Sequence, residues 1–191
     1  MTWSAQQLSN ARAGLGACDA LGGDRTNATQ VLTMMITECT LWNYENPLYP
    51  VTFGLGDGLP PHELSPSTKN SCGVAQQRPH DPVWWGPPGL TLDEQAVNFM
   101  HVDRACSYFV ARIREVARST SPWREIQAVQ ESEWNGVTID QSTGLPYPYA
   151  ENYHSNWLDG YALLGILRGV VPPARTSGQP YTDWLMGWKV G

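Results

Sequence analysis

Between Val31 and Glu38 the chain reads Val-Leu-Thr-Met-Met-Ile-Thr-Glu, an apolar run closed by a carboxylate. At helical spacing Val31, Met34, Met35 and Glu38 share one face, so the stripe that must meet the core carries an acid at its end. A carboxyl group held against apolar side chains is desolvated. Desolvation disfavours the ionised form and lifts the pKa toward the range useful to a general acid. The plainer alternative is a glutamate at a frayed helix end, reaching solvent. The flanking sequence bears on that choice.

Ser4 can cap a first helix running to about Leu21, with Leu8, Ala11, Leu15 and Cys18 at helical spacing and Gly22-Gly23 as the stop. The second helix begins near Asp24 or Thr26 and runs to about Leu41, so two helices deliver Glu38 to a loop. From Trp42 to Asn70 the periodicity disappears, broken by Pro47, Pro50, Pro60, Pro61 and Pro66 and by Gly54, Gly56 and Gly58. A long loop inside a compact domain is usually functional or pinned. Cys39 and Cys72 bracket it, and a disulfide between them would close it. With Cys18 and Cys106 two disulfides can form, of open connectivity, the alternative being four buried thiols. No CxxC pair occurs, which argues against a zinc site, and no cofactor or metal is expected.

Further along, Thr91-Leu92-Asp93-Glu94 is a capping box opening a long helix. Its apolar stripe comprises Ala96, Phe99, Met100, Ala105, Cys106, Phe109, Val110, Ile113 and Val116. Ser121-Pro122 opens another helix from Trp123 to about Glu133. A last one runs to about Leu167 with Tyr153, Trp157, Tyr161 and Leu164 on one side. The expected fold class is therefore mainly α. With 191 residues and 41% hydrophobic content the chain can fill one core rather than two. That predicts one domain, and the C-terminal extension, 171–191, bears Pro172, Pro173, Pro180, Trp184 and Trp188.

A net charge of -6, without a basic stripe, argues against nucleic-acid and membrane-surface partners. No run is long enough to span a bilayer, and the N-terminal residues lack the basic head and apolar body of a signal peptide. The 9 Trp and 8 Tyr offer flat faces with polar edges, suited to stacking on sugars, although each also suits a core.

Ser71-Cys72-Gly73-Val74-Ala75-Gln76-Gln77-Arg78-Pro79 follows the loop, and Ala128-Val129-Gln130-Glu131-Ser132 and Gly144-Leu145-Pro146-Tyr147-Pro148-Tyr149-Ala150 come later. A helix-terminal acid, a loop and then a Gly-x-x-Gln-Gln-Arg-Pro turn resemble the lysozyme-like superfamily. The likeness is to the goose-type lysozyme and soluble lytic transglycosylase branch, in its actinobacterial and actinobacteriophage variants. It covers roughly residues 25 to 168. It implies that 1–170 is a lysozyme-like catalytic domain, that Glu38 is the catalytic acid, and that Gln76 lines a sugar cleft, with Gln130 facing the same cleft. The interval from Glu38 to Gln76 is longer than in compact members of the family, which makes the loop an insertion.

The chemistry implied is cleavage of the β-1,4 bond between N-acetylmuramic acid and N-acetylglucosamine, for which Glu38 supplies the proton. Gln76, Gln77 and Gln130 can hydrogen-bond acetamido groups, and Trp42, Tyr44, Trp84 or Tyr149 can form stacking walls. A second carboxylate would come from Asp57, Glu63, Asp93 or Glu131, none of which lies in a recognisable motif. Asp93 and Glu94 are better explained as first-turn acids facing a helix dipole. A single-acid, transglycosylase-like mechanism is therefore expected, with hydrolysis as the alternative. The partners implied are peptidoglycan glycan strands. The absence of a signal peptide, with the actinobacterial character of the motif, suggests a phage endolysin or tail-associated lysin acting at the bacterial cell wall.

Two other readings compete. Glu38-Cys39-Thr40-Leu41-Trp42 superficially resembles the start of a cysteine-dependent amidase or peptidase, with His62, His80, His101 or His154 as base. A nucleophilic cysteine, however, belongs at a helix N-terminus, whereas Cys39 sits near a helix end. The other is a catalytically silent wall-binding phage component that keeps the fold.

Overall fold

The computed structural model describes residues 2–59, 71–80, 82, 85–116, 121–130, 136, 137, 139, 142, 143, 145, 146 and 148–169. Among them the regular structure is helical: α1 (Ala5–Ala20), α2 (Arg25–Cys39), α3 (Leu92–Met100), α4 (Val102–Ile113), α5 (Pro122–Gln130) and α6 (Glu151–Leu167), with one 3-10 turn at Pro50–Thr52 and isolated bridges in place of strands. The mainly α expectation holds. The extension over 171–191 lies outside the described residues.

Three of these helices start on reciprocal caps. Ser4 Oγ accepts the Gln7 N–H at 3.2 Å while Gln7 Oε1 accepts that of Ser4 at 2.9 Å. Asp24 and Asn27 do the same for α2, and Thr91 and Glu94 for α3. Each box satisfies two N–H groups that the helix itself cannot.

Gly14 lets α1 approach α2 and α4 closely, since a Cβ there would stand 2.7 Å from Met35 Sδ and 3.1 Å from Cys106 Sγ. Gly160 does the same for α6, where a Cβ would stand 2.3 Å from Thr33 Oγ1. These contacts let α2 pack along α6 and bury Val31, Leu32, Met34 and Met35 completely. Tyr153, Trp157, Tyr161 and Leu164 are all buried, as their shared spacing predicts.

The long helix expected after Thr91 is instead two, broken at His101, whose backbone is extended at φ -85 and ψ 105. Two long-range contacts account for the break. Asn43 Nδ2 donates to the Met100 carbonyl at 2.7 Å, and Gly73 presses so close that a Cβ on it would lie 2.0 Å from the Phe99 carbonyl oxygen. The local sign is Asp103-Arg104, which interrupts the apolar stripe.

The loop after α2 is pinned by hydrogen bonds rather than by the anticipated disulfide. All four cysteines are free and buried. Cys39 Sγ donates to the Val74 carbonyl at 2.8 Å and the Met35 carbonyl at 3.2 Å, so the turn is held to the end of α2 without a covalent bond. Asp57 fastens the same loop to α1. Its carboxylate accepts Gln6 Nε2 at 2.9 Å, Asn10 Nδ2 at 2.7 Å and the Asn43 N–H at 2.7 Å.

Candidate active site around Glu38

Two residues in the left-handed region, Thr40 at φ 53 and Leu41 at φ 67, end α2 immediately after Cys39. For side chains with a Cβ this conformation costs about 1–2 kcal/mol per residue. Two amides from α1 brace it: Gln7 Nε2 donates to the Thr40 carbonyl and Asn10 Nδ2 to the Leu41 carbonyl, both at 2.8 Å. The helix therefore stops with Glu38 in its last turn.

Glu38 is half-buried, and the Tyr153 phenol donates a hydrogen bond to its Oε1. One turn away, Asn156 Nδ2 donates to Thr37 Oγ1 at 3.2 Å. Together with the Gly160–Thr33 approach, these contacts form a ladder along the α2–α6 crossing that fixes Tyr153 over the acid. Burial pushes the Glu38 carboxyl up to about 7, against the smaller opposing pulls of the Tyr153 hydrogen bond and the Arg78 guanidinium. Near neutrality the group thus exists in both protonation states, as a residue that gives and retakes a proton requires.

The turn at Gly73–Gln76 lies against this helix end. Cys39 holds it at Val74, the Gly73 N–H donates to the Tyr44 carbonyl at 2.9 Å, and Gln130 Nε2 at the end of α5 donates to the Ala75 carbonyl at 2.9 Å. The structure thereby gathers Glu38, Gln76, Gln130 and Tyr44, residues far apart in the chain. Gln76 is half-buried in the left-handed region at φ 47, with Nε2 on the Gly73 carbonyl at 2.9 Å.

Gln77 departs from its expected role in sugar binding. It is 2% exposed and donates Nε2 to the Ala105 carbonyl at 3.0 Å, so it ties the turn to α4 rather than lining a cleft. Trp42 and Tyr44 are half-buried beside the helix end. Tyr149 is exposed on the α5–α6 side, with the Arg124 guanidinium 5.9 Å from its ring centroid. Trp84 lies outside the described residues, as do Glu63, Glu131 and His62.

Of the remaining carboxylates considered, Asp57 is committed to three donors and Asp93 is an exposed first-turn acid of α3. Cys39 is poorly placed for nucleophilic chemistry. It is 2% exposed, and burial, reinforced by the neighbouring Glu38, pushes its thiol well above the ordinary cysteine range. The thiolate that such chemistry needs is thus disfavoured. Among the described residues no three His, Cys, Asp or Glu side chains group as a metal site, and no helix is long and apolar enough to cross a membrane.

Two participants were not among the residues singled out from sequence. Tyr153 reads as one more core aromatic, although a buried phenol needs a polar partner and so points toward one. Arg78 belongs to the quoted motif without a role there. No known protein-family model matches this chain, and no curated protein does.

Proposed function

We propose that this chain cleaves the β-1,4 bond between N-acetylmuramic acid and N-acetylglucosamine in peptidoglycan, in a lysozyme-like helical domain with Glu38 as acid and base. The observation that carries the reading is the Glu38 carboxyl itself, enclosed at a helix end, held by Tyr153 and raised to about 7. The turn bearing Gln76 beside it, braced by Gln130, supports the same reading.

In this mechanism protonated Glu38 gives its proton to the glycosidic oxygen as the bond to the muramic C1 breaks, and N-acetylglucosamine leaves with its hydroxyl. The resulting carboxylate then takes the proton of the same muramic residue's 6-hydroxyl, whose oxygen closes on C1. The product is a 1,6-anhydro sugar, the proton is back on Glu38, and no water is consumed. A single acid suffices, in keeping with the commitment of Asp57 to the loop. The amide oxygens of Gln76 and Gln130 can accept acetamido N–H groups while their Nε2 atoms hold the turn. The proposed place of action is the bacterial cell wall, as a phage endolysin or tail-associated lysin.

Digestion of mycobacterial or related peptidoglycan with wild type and Glu38→Gln, followed by mass analysis of the released sugars, tests this. The expected result is 1,6-anhydromuropeptides from wild type and none from the variant. Reducing-end muropeptides would mean hydrolysis with a second group. Equal cleavage by both proteins, or scission of peptide bonds alone, would overturn the role of Glu38, and wall binding without cleavage by wild type would indicate a silent structural component.

A further inference from the structure

The chain leaving the Gly73–Gln76 turn is extended, and its side chains alternate. Gln77 and Pro79 are buried, whereas Gln76 is half-exposed and Arg78 and His80 are exposed. Arg78 and His80 therefore face outward on either side of buried Pro79, in one row that follows the half-exposed turn residue Gln76. Both ends of this segment are anchored. The bridge between Cys72 and Gln77 and the Gln77 contact to α4 hold it from within. Gln95 holds its far end, accepting the His80 N–H and donating to the His80 carbonyl, both at 3.0 Å.

Arg78 is the cation of that row. Its Nε donates to Ser71 Oγ at 3.3 Å, and the Ser71 carbonyl in turn accepts Asn46 Nδ2 at 2.7 Å, which fixes the base of the guanidinium to the loop. Among the described residues its terminal nitrogens meet no carboxylate. Arg78 lies two residues beyond Gln76, in the segment whose turn Cys39 holds at the end of α2, and its charge favours the Glu38 anion against the effect of burial. An anchored guanidinium with its outer fork open is built for a planar anion.

Resting on the assignment of Glu38 above, we infer that Arg78 binds a carboxylate of the substrate, carried by the lactyl-linked stem peptide next to the bond to be cut. The site then selects peptide-bearing glycan over a neutral chitin-type chain of the same backbone.

The test is calorimetric binding in a Glu38→Gln background, where no ligand is consumed, to two probes: a peptidoglycan tetrasaccharide with its stem peptides, and chitohexaose. Adding Arg78→Gln is expected to weaken binding of the peptide-bearing probe about tenfold, as for loss of a charge-assisted contact, and to leave chitohexaose unchanged. Arg78→Lys should retain part of the difference, and added salt should erode it. Equal weakening for both probes, no weakening, or binding of neither would overturn the inference. Because binding is read without turnover, a failure of Glu38 as the acid appears in the digestion experiment and not here.

Discussion

Two carboxylates, Glu38 in the last turn of α2 and Asp57 in the loop that follows, have surroundings that differ in kind. Asp57 accepts three hydrogen bonds, from two side-chain amides and a backbone N–H, and these tie the loop to α1. Glu38 accepts one from a phenol and is half-buried at the helix end, and this burial disfavours the anion and lifts its carboxyl to about 7. The first arrangement is a fastener. The second leaves an acid whose proton is free to move. What separates them is the number of donors supplied against the water removed.

The comparison breaks most visibly at Glu38. Glu38→Gln keeps size and hydrogen-bonding capacity but removes the proton, so turnover should fall by about 10²–10⁴-fold, the usual contribution of a positioned acid-base group. The folded helix content, followed by circular dichroism, should not change. In wild type the acid form is lost as pH rises through about 7, so kcat/KM should decline on that side. A flat profile from pH 6 to 8 would show that Glu38 is not the titrating group.

Asp57 should show the opposite pattern. Asp57→Ala removes three hydrogen bonds and leaves the Asn43 N–H without its acceptor, which costs about 2–4 kcal/mol of stability. Urea unfolding measures this. At temperatures where the variant remains folded, its rate should stay within a few-fold of wild type. Loss of activity without loss of stability would move Asp57 from fastener to catalyst.

Why one acid could be singled out from sequence and the fastener could not follows from range. Glu38 ends an apolar stripe, and Gln76 stands in a Gly-x-x-Gln turn after it, so both are marked by their immediate neighbours. Capping residues such as Ser4 and Asp24 are legible for the same reason. The break at His101 is made by Asn43, whose contact to Met100 spans 57 residues, and the Tyr153 contact spans 115 residues. Nothing local to His101 or Tyr153 specifies those partners. Gln76 and Gln77 are the same residue type side by side, and the left-handed turn at Gln76 separates the half-exposed one from the core one. The bracketing cysteines suggested a disulfide because loop length was visible and the Cys39–Val74 hydrogen bond was not.

An enclosed acid also has a stability cost with a definite pH dependence. The Glu38 carboxyl is higher in the folded state than its ordinary value of 4.5, so between that value and about 7 the native protein holds more proton than the unfolded chain. Stability therefore falls as pH rises through that window, and below it the cost vanishes because both states are protonated. Glu38→Gln removes the dependence. The variant should be more stable than wild type by about 1–3 kcal/mol at pH 8 and nearly equal to it at pH 4. Thermal melts at the two pH values measure this, and a variant no more stable at pH 8 would show that Glu38 is solvated like an ordinary surface carboxylate.

The smallest effect is the most discriminating. Tyr153→Phe deletes one phenolic hydroxyl at a fully buried position, costing about 1 kcal/mol of stability. Because the Tyr153 hydrogen bond favours the Glu38 anion, its loss should push the carboxyl further up, and the alkaline limb of the activity profile should move to higher pH. The acid would then stay protonated longer, yet each turnover would form an anion with no donor to receive it. The maximal rate should therefore drop while the active range widens. A rate that drops with an unmoved limb would assign Tyr153 to packing alone, making its contact to Glu38 no different in kind from the donors that surround Asp57.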